Sequence, residues 1–435
     1  MKRTVLIAIA VLLACIAPLR AQEPESTYLL DNYTYAHRSS PALSDTTVSG
    51  VAALALGYLG IGVSSDIGVK TILFPRDGNL VTGLNDKVSA DEFLSGLKDM
   101  SHVMADVDWN LLSMHSRTDR TGRYVTFEIN MKSHNDACIP KEIFEIFKTG
   151  TGPADRYDFP SFGVTSSSWL EIAGGTEFRP GDFTIAFRAK FLLGATDVRL
   201  SAGNAYMSVE GGSPSAGIDA TLLSSMNTFS IQTTASGGLD FGSISYAGVT
   251  PAGYGAGLDL GVAWKPSREW TATVSLLDLG GIWWTGDLSA KSRFRTDETG
   301  NDNINSLLFP IPDEVPHGTY FKGIPFTVNT GFRYKPSGLV TLGSRAVWRH
   351  GEGFNLWHIS AGAGLNPWRE LGLAANASVG NDGLRAGGSL CFRLAFFQLF
   401  VSAEATLTKF TYSHIPINPP GVIVAAGMSF TFRRK

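Results

Sequence analysis

Asp106 and Asp108 stand two residues apart in MADVDWNLLSMHSR, and Ser113 and His115 follow a few positions later. Neighbouring carboxylates can share acid and base work, and a serine beside a histidine can be activated as a nucleophile. The spacing argues against both uses. At i and i+2 the carboxylates fall on one face of a strand, where they read as polar lining. Ser113 and His115 share a face as well, yet no third group and no nucleophile elbow accompanies them. His102, His134, His317, His350, His358 and His414 follow no HExxH or other ligand spacing. GYGAGLDLG at 253–261 is rich in glycine, but a strand follows it rather than a phosphate-binding helix. No catalytic, metal or cofactor residue is therefore assigned.

The elements that hold these residues begin with an export signal. MKRTVLIAIAVLLACIAPLRAQ has Lys2 and Arg3, an apolar run from Val5 to Ala17, and small Ala21 before Gln22. That is a cleavable signal peptide over 1–21, too short for a lasting membrane span. A lipoprotein reading at Cys15 is set aside because apolar sequence runs on to the better cleavage site. Cys138 and Cys391 then remain, read as separate thiols rather than a bridge, without metal-site spacing. A net charge of -3 gives no basic excess, so nucleic acid is not an expected partner. No later apolar stretch approaches the ~20 residues of a spanning helix.

Alternation decides the class. In FTIAFRAKFLL, Phe183, Ile185, Phe187, Ala189, Phe191 and Leu193 fall on one face, and Thr184, Ala186, Arg188 and Lys190 on the other. YVTFEINMK places Val125, Phe127, Ile129 and Met131 against Thr126, Glu128, Asn130 and Lys132. FTVNTGFRYK, LWHISAGAGLN, ELGLAANASVG and GVIVAAGMSFTFR behave alike. A soluble sandwich alternates too. Against it stand segment lengths near the ~9–11 residues of a tilted membrane strand. The polar faces also carry Arg188, Lys190, Arg345, Arg385, Arg393 and Glu404, as a wet lumen permits. Trp169, Trp264, Trp270, Trp283, Trp284, Trp348, Trp357 and Trp368 gather at strand ends, where indole suits a membrane interface. In SLLDLGGIWW, Trp283 and Trp284 read as such girdle residues, placed where strand 270–279 leaves the bilayer. The fold class is all-β, an antiparallel transmembrane barrel.

FRPGDF, WKPSREW, YKPSGL and LNPWREL each set a proline just before a new strand, as a tight turn requires. The links between them are longer, above all 280–324 and 407–420. Short turns face the periplasm in outer-membrane barrels, which places both termini there. Sixteen strands are read, with 14 as the alternative: 61–70, 106–116, 123–133, 169–178, 183–194, 197–210, 216–223, 257–265, 270–279, 325–335, 338–349, 356–366, 370–380, 384–394, 397–406 and 421–432. Helices are expected at 89–100, capped by Ser89, and at 139–150, opened by Pro140 and ended by Gly150. They belong to outer loops or fold into the lumen as a plug that narrows the pore. The division is signal peptide 1–21, a periplasmic or lumenal segment 22–48, and the barrel 49–435.

DNYTYAHRSSPALS, DWNLLSMHSR, IPKEIFEIFKTG and SLLDLGGIWW resemble an uncharacterised family of Bacteroidetes outer-membrane barrels. That family is loosely similar to long-chain fatty-acid transporters and to the barrel subunits of type IX secretion. Those barrels carry Asn-Pro-Ala early in the mature chain; here Ser40 precedes Pro41 and Ala42, so no ligand contact is carried over. The resemblance implies an outer-membrane location and contact with lipid. It favours passage of a small apolar or amphipathic solute over an adaptor barrel that anchors a protein partner. A hydrolase using a lumenal serine with His115 or His358 is the enzymatic alternative, and it is not favoured.

Overall fold

The computed structural model describes residues 23–30, 37–43, 49–65, 67–118, 123–149, 156–160, 162–210, 213–227, 229–233, 239–246, 250–285, 288–295, 313–314, 318–352, 354–381, 383–394, 396–407 and 421–432. The signal peptide expected at 1–21 and most of the two long loops lie outside the described residues.

Fourteen antiparallel strands close into one ring. They are β1 (Gly50–Ser65), β2 (Met100–Arg117), β3 (Tyr124–Pro140), β4 (Phe162–Phe178), β5 (Phe183–Glu210), β6 (Gly253–Trp264) and β7 (Trp270–Trp284). The other half is β8 (Phe326–Tyr334), β9 (Val340–Gly351), β10 (Phe354–Trp368), β11 (Leu371–Gly380), β12 (Gly383–Arg393), β13 (Phe397–Thr406) and β14 (Gly421–Phe432). Each strand pairs with its chain neighbour, and β1 closes the ring on β14, Gly50 opposite Phe432. Closure leaves no strand edge in the wall, which lipid could not hydrogen-bond.

The apolar faces point outward. On β13, Gln398, Phe400, Ser402 and Glu404 are buried inside while Leu399, Val401, Ala403 and Ala405 are exposed. On β5, Ile185 is 45% exposed and Thr184 5%. Large side chains turned to the solvent side on strand after strand form a lipid-facing belt, the inverse of a soluble core.

Three expectations need correction. Segments 183–194 and 197–210 are one strand, the 28-residue β5, roughly 90 Å long at ~3.3 Å per residue. Segment 216–223 falls in a strand, Ser213–Ser225, that pairs with the far part of β5 and stands outside the ring. These two corrections turn sixteen strands into fourteen. Segment 61–70 is displaced: β1 starts at Gly50, and Val69–Ile72 is the short helix α1.

The helices are shorter than expected at 89–100 and close to expectation at 139–150. α2 (Ala90–Leu94) is capped by Ser89, whose hydroxyl accepts Glu92 N–H at 3.2 Å, and α3 spans Lys141–Thr149. Neither fills the lumen. Phe93 meets Phe144 edge-on at 6.3 Å and packs in one cluster with Val103 and Ala137. Those two share the outward parity of β2 and β3, set by exposed Met114, Phe127 and Met131. The helices therefore bury their apolar faces on the outside of the strand extension, and the plug expected of 89–100 or 139–150 is not formed by them.

Candidate functional site

Inside the ring, the space is taken by the chain's own N-terminal segment. Pro24 begins a 3-10 turn, Glu25–Leu29, closed by Thr27 N–H to Pro24 O at 3.1 Å. Its residues are buried, as are 37–43, and they bond to strands on opposite walls, which only an interior chain can do. The Glu25 carboxylate accepts from Ser360 Oγ at 2.9 Å and meets His358 Nε2 at 2.7 Å and Arg345 Nη1 at 3.2 Å. Its own N–H donates to Glu404 on β13 at 2.9 Å. Ser26 joins Ser389 at 2.5 Å. Arg38 binds Asp108 and donates to Asn130 at 3.1 Å, with its guanidinium over the Tyr58 ring at 4.3 Å. Ser275 and Asn329 donate to Ser39 O at 3.1 and 2.7 Å.

Glycines in the wall make room for this segment. A Cβ on Gly331 would stand 2.3 Å from the Tyr28 hydroxyl, and one on Gly364 2.5 Å from Leu29 O. Only a residue without a side chain permits so close an approach.

The walls carry a dense set of paired charges. Arg188 donates to Glu128 at 3.0 Å and to Asp259 at 2.8 Å. Lys190 reaches Asp278 at 2.6 Å and Asp259 at 2.8 Å, and Lys132 reaches Asp278 at 2.8 Å. Pairing is what makes so many charges tolerable away from bulk water. Asp278 is delivered by a bulge in β7, with φ +62 and its N–H on Asp259 Oδ1 at 2.7 Å. The bulge also reverses the face of every later residue on β7. Trp283 is consequently outside at 58% exposure, while Trp284 is inside at 1%, packed with Trp169, Leu192 and Ile282. Half of the expected girdle pair is thus lumenal. Trp169, expected at the interface, is buried inside as well.

Burial acts on the segment's titratable groups. It would raise the Glu25 carboxyl, but Arg345 and His358 outweigh it and hold the group at about 2. His37 is pushed well below its ordinary range, first by burial and then by His115, whose ring centroid is 4.4 Å away. Arg38 is raised, since Asp108 and Glu23 overcome its desolvation.

The residues first weighed for chemistry are separated. Asp106 is taken by His134 and Arg349, and Asp108 by Arg38. Ser113 donates to Asn110 at 2.8 Å while His115 meets Glu128 at 3.0 Å, so they form no serine–histidine pair. His358 serves Glu25. His102 Nε2 lies 3.6 Å from Cys138 Sγ on the adjacent strand, and Cys391 is buried elsewhere; the two thiols do not pair with each other. GYGAGLDLG is itself strand β6. Glu25, His37 and Arg38 went unassigned in the sequence. Their trace there was inward Arg345 and Asp108, whose ion-pair partners are Glu25 and Arg38 of the segment.

The chain belongs to the family of unknown function DUF5723, matched over residues 41–404. No curated protein matches it. Among solved structures it is similar to a Pseudomonas aeruginosa FadL homologue at 11% identity, with 95% of each chain covered and a TM-score of 0.45. It is similar to a deletion mutant of the monoaromatic hydrocarbon channel TodX at 9% identity, covering 97% of this chain and 98% of that one, TM-score 0.46. The Ralstonia pickettii toluene transporter TbuX is similar at 7% identity, with 94% of each chain covered and a TM-score of 0.44.

Proposed function

We propose that this protein is an outer-membrane channel or transporter for a small solute, held closed by its N-terminal segment. The observation that carries the reading is the seal: a short peptide fills the lumen, with Tyr28, Leu29, Leu30 and Leu43 packed against Tyr58 and Phe400 and the rest held through hydrogen bonds and ion pairs. Contacts of that kind can be exchanged for water, so the segment can shift without unfolding the barrel. The same lumen argues for an amphipathic solute over a purely apolar one, because a hydrocarbon crossing it would face buried charges at mid-height. The wall's belt of exposed apolar side chains and the export signal support an outer-membrane location.

Deleting residues 23–43 behind an intact signal peptide tests the reading in proteoliposome swelling. The intact barrel should be nearly tight and the deletion should leak small sugars and amino acids. A folded, inserted deletion as tight as the parent would overturn it.

A further inference from the structure

A cavity of about 100 Å³ remains at mid-lumen beside Arg38, walled by Asp108, Glu171 and Trp169 and bordered by Leu277 and Val347. That is room for about three waters, or for one small organic group. Among the described residues, two polar atoms on its wall have neither a hydrogen-bond nor an ion-pair partner. Trp169 is 4% exposed, and its indole Nε1–H meets no acceptor. Asp108 gives one carboxylate oxygen to Arg38, and its Oδ1 is unengaged. A buried donor or acceptor left unpaired is costly, so each points to something that occupies the space.

The charge balance says what. The wall holds eight carboxylates against six Lys or Arg side chains and one histidine, His358. Each of those cations already faces a carboxylate within salt-bridge distance. The spare capacity is therefore for positive charge and for one acceptor. Leu277, Val347 and the Trp169 ring offer an apolar side to the same space.

We propose that this cavity binds a small organic ammonium compound that also carries a hydrogen-bond acceptor. The ammonium donates to Asp108 Oδ1 and sits against Glu171, the acceptor receives the Trp169 N–H, and the short carbon link lies on Leu277 and Val347. Reading this ligand as the transported solute rests on the channel proposal; the binding itself does not.

Calorimetric titration of the folded barrel in detergent near pH 7 with ethanolamine tests it, with propionate and 1-propanol as controls of similar size. Ethanolamine should bind and the controls should not. Trp169→Phe, which keeps the apolar ring, should weaken binding about threefold. Asp108→Asn should weaken it about tenfold, as expected for loss of a charge-assisted bond. Equal binding of a control, or parent-like affinity in both variants, would overturn the site. No heat with ethanolamine would mean that the cavity holds water only, and would overturn it too. Ethanolamine binding without ethanolamine passage would leave the site standing and sink the channel reading for this solute.

Discussion

Replacing Glu25 with Ala should unseat the N-terminal segment. The carboxylate is buried and receives His358, Ser360 and Arg345 at 2.7, 2.9 and 3.2 Å. Two routes give the magnitude. Removing one member of a buried ion pair costs about 3–5 kcal/mol, because the other charge is left without cover. Independently, a carboxyl held at about 2 against its ordinary 4.5 favours the docked anion by about 3 kcal/mol. The lower figure moves the closed-to-open ratio by about a hundredfold, at ~1.4 kcal/mol per factor of ten. Single-channel recording in planar bilayers reads that ratio as open probability. Adding Arg345→Met in the same chain removes the guanidinium that has lost Glu25, though Glu23 still faces it at 3.4 Å, and should return part of the loss, a coupling of about 1–3 kcal/mol. Unchanged open probability in a folded Glu25→Ala barrel would refute the docking role. A double variant that opens more than the single one would refute the ion-pair reasoning.

The same contacts predict a pH response. The Glu25 carboxyl is depressed, so its contribution to docking is complete above the ordinary 4.5 and is lost as pH falls toward about 2. His37, faced by His115, Tyr124, Glu128, Arg179 and Arg188, is depressed below its ordinary 6.5 and must dock neutral, so its contribution fades as pH drops below that value. Open probability should therefore rise between about pH 7.5 and about pH 5, and His37→Gln should flatten the rise; an identical rise in the variant removes His37 from the response. Ile185→Arg puts a guanidinium into lipid at a cost of about 2–4 kcal/mol, whereas Thr184→Arg points into the charged lumen; urea unfolding of the two should rank Ile185→Arg the less stable, and the opposite ranking would mean the faces are inverted. Cysteines at exposed Gly318 and Ser337 lie at opposite ends of the barrel. A membrane-impermeant maleimide on intact cells should label Gly318→Cys and spare Ser337→Cys, and the reverse pattern turns the barrel over.

The period of two determined much of this protein from the sequence alone. Side-chain alternation is local, so FTIAFRAKFLL or YVTFEINMK states its strand, its lipid face and its lumenal Arg188, Lys190 and Glu128 without any partner in view. Pro180, Pro266, Pro336 and Pro367 marked one end of the barrel for an equally local reason, the fixed φ of the ring. α3 was legible from its caps. What the tertiary structure decided was non-local. Whether 183–210 is one strand or two depends on the partners that continue its ladder, and those lie in β4, β6 and Ser213–Ser225. The bulge at Asp278 exists because Asp259 on β6 accepts its N–H, and one extra residue there sends Trp284 inward against the pattern. The N-terminal segment has no period at all. Its place follows from Glu25 meeting His358 and Glu404, more than 300 positions away. A buried charge is held by whichever opposite charge the closed ring brings to it, and chain order carries no record of that meeting.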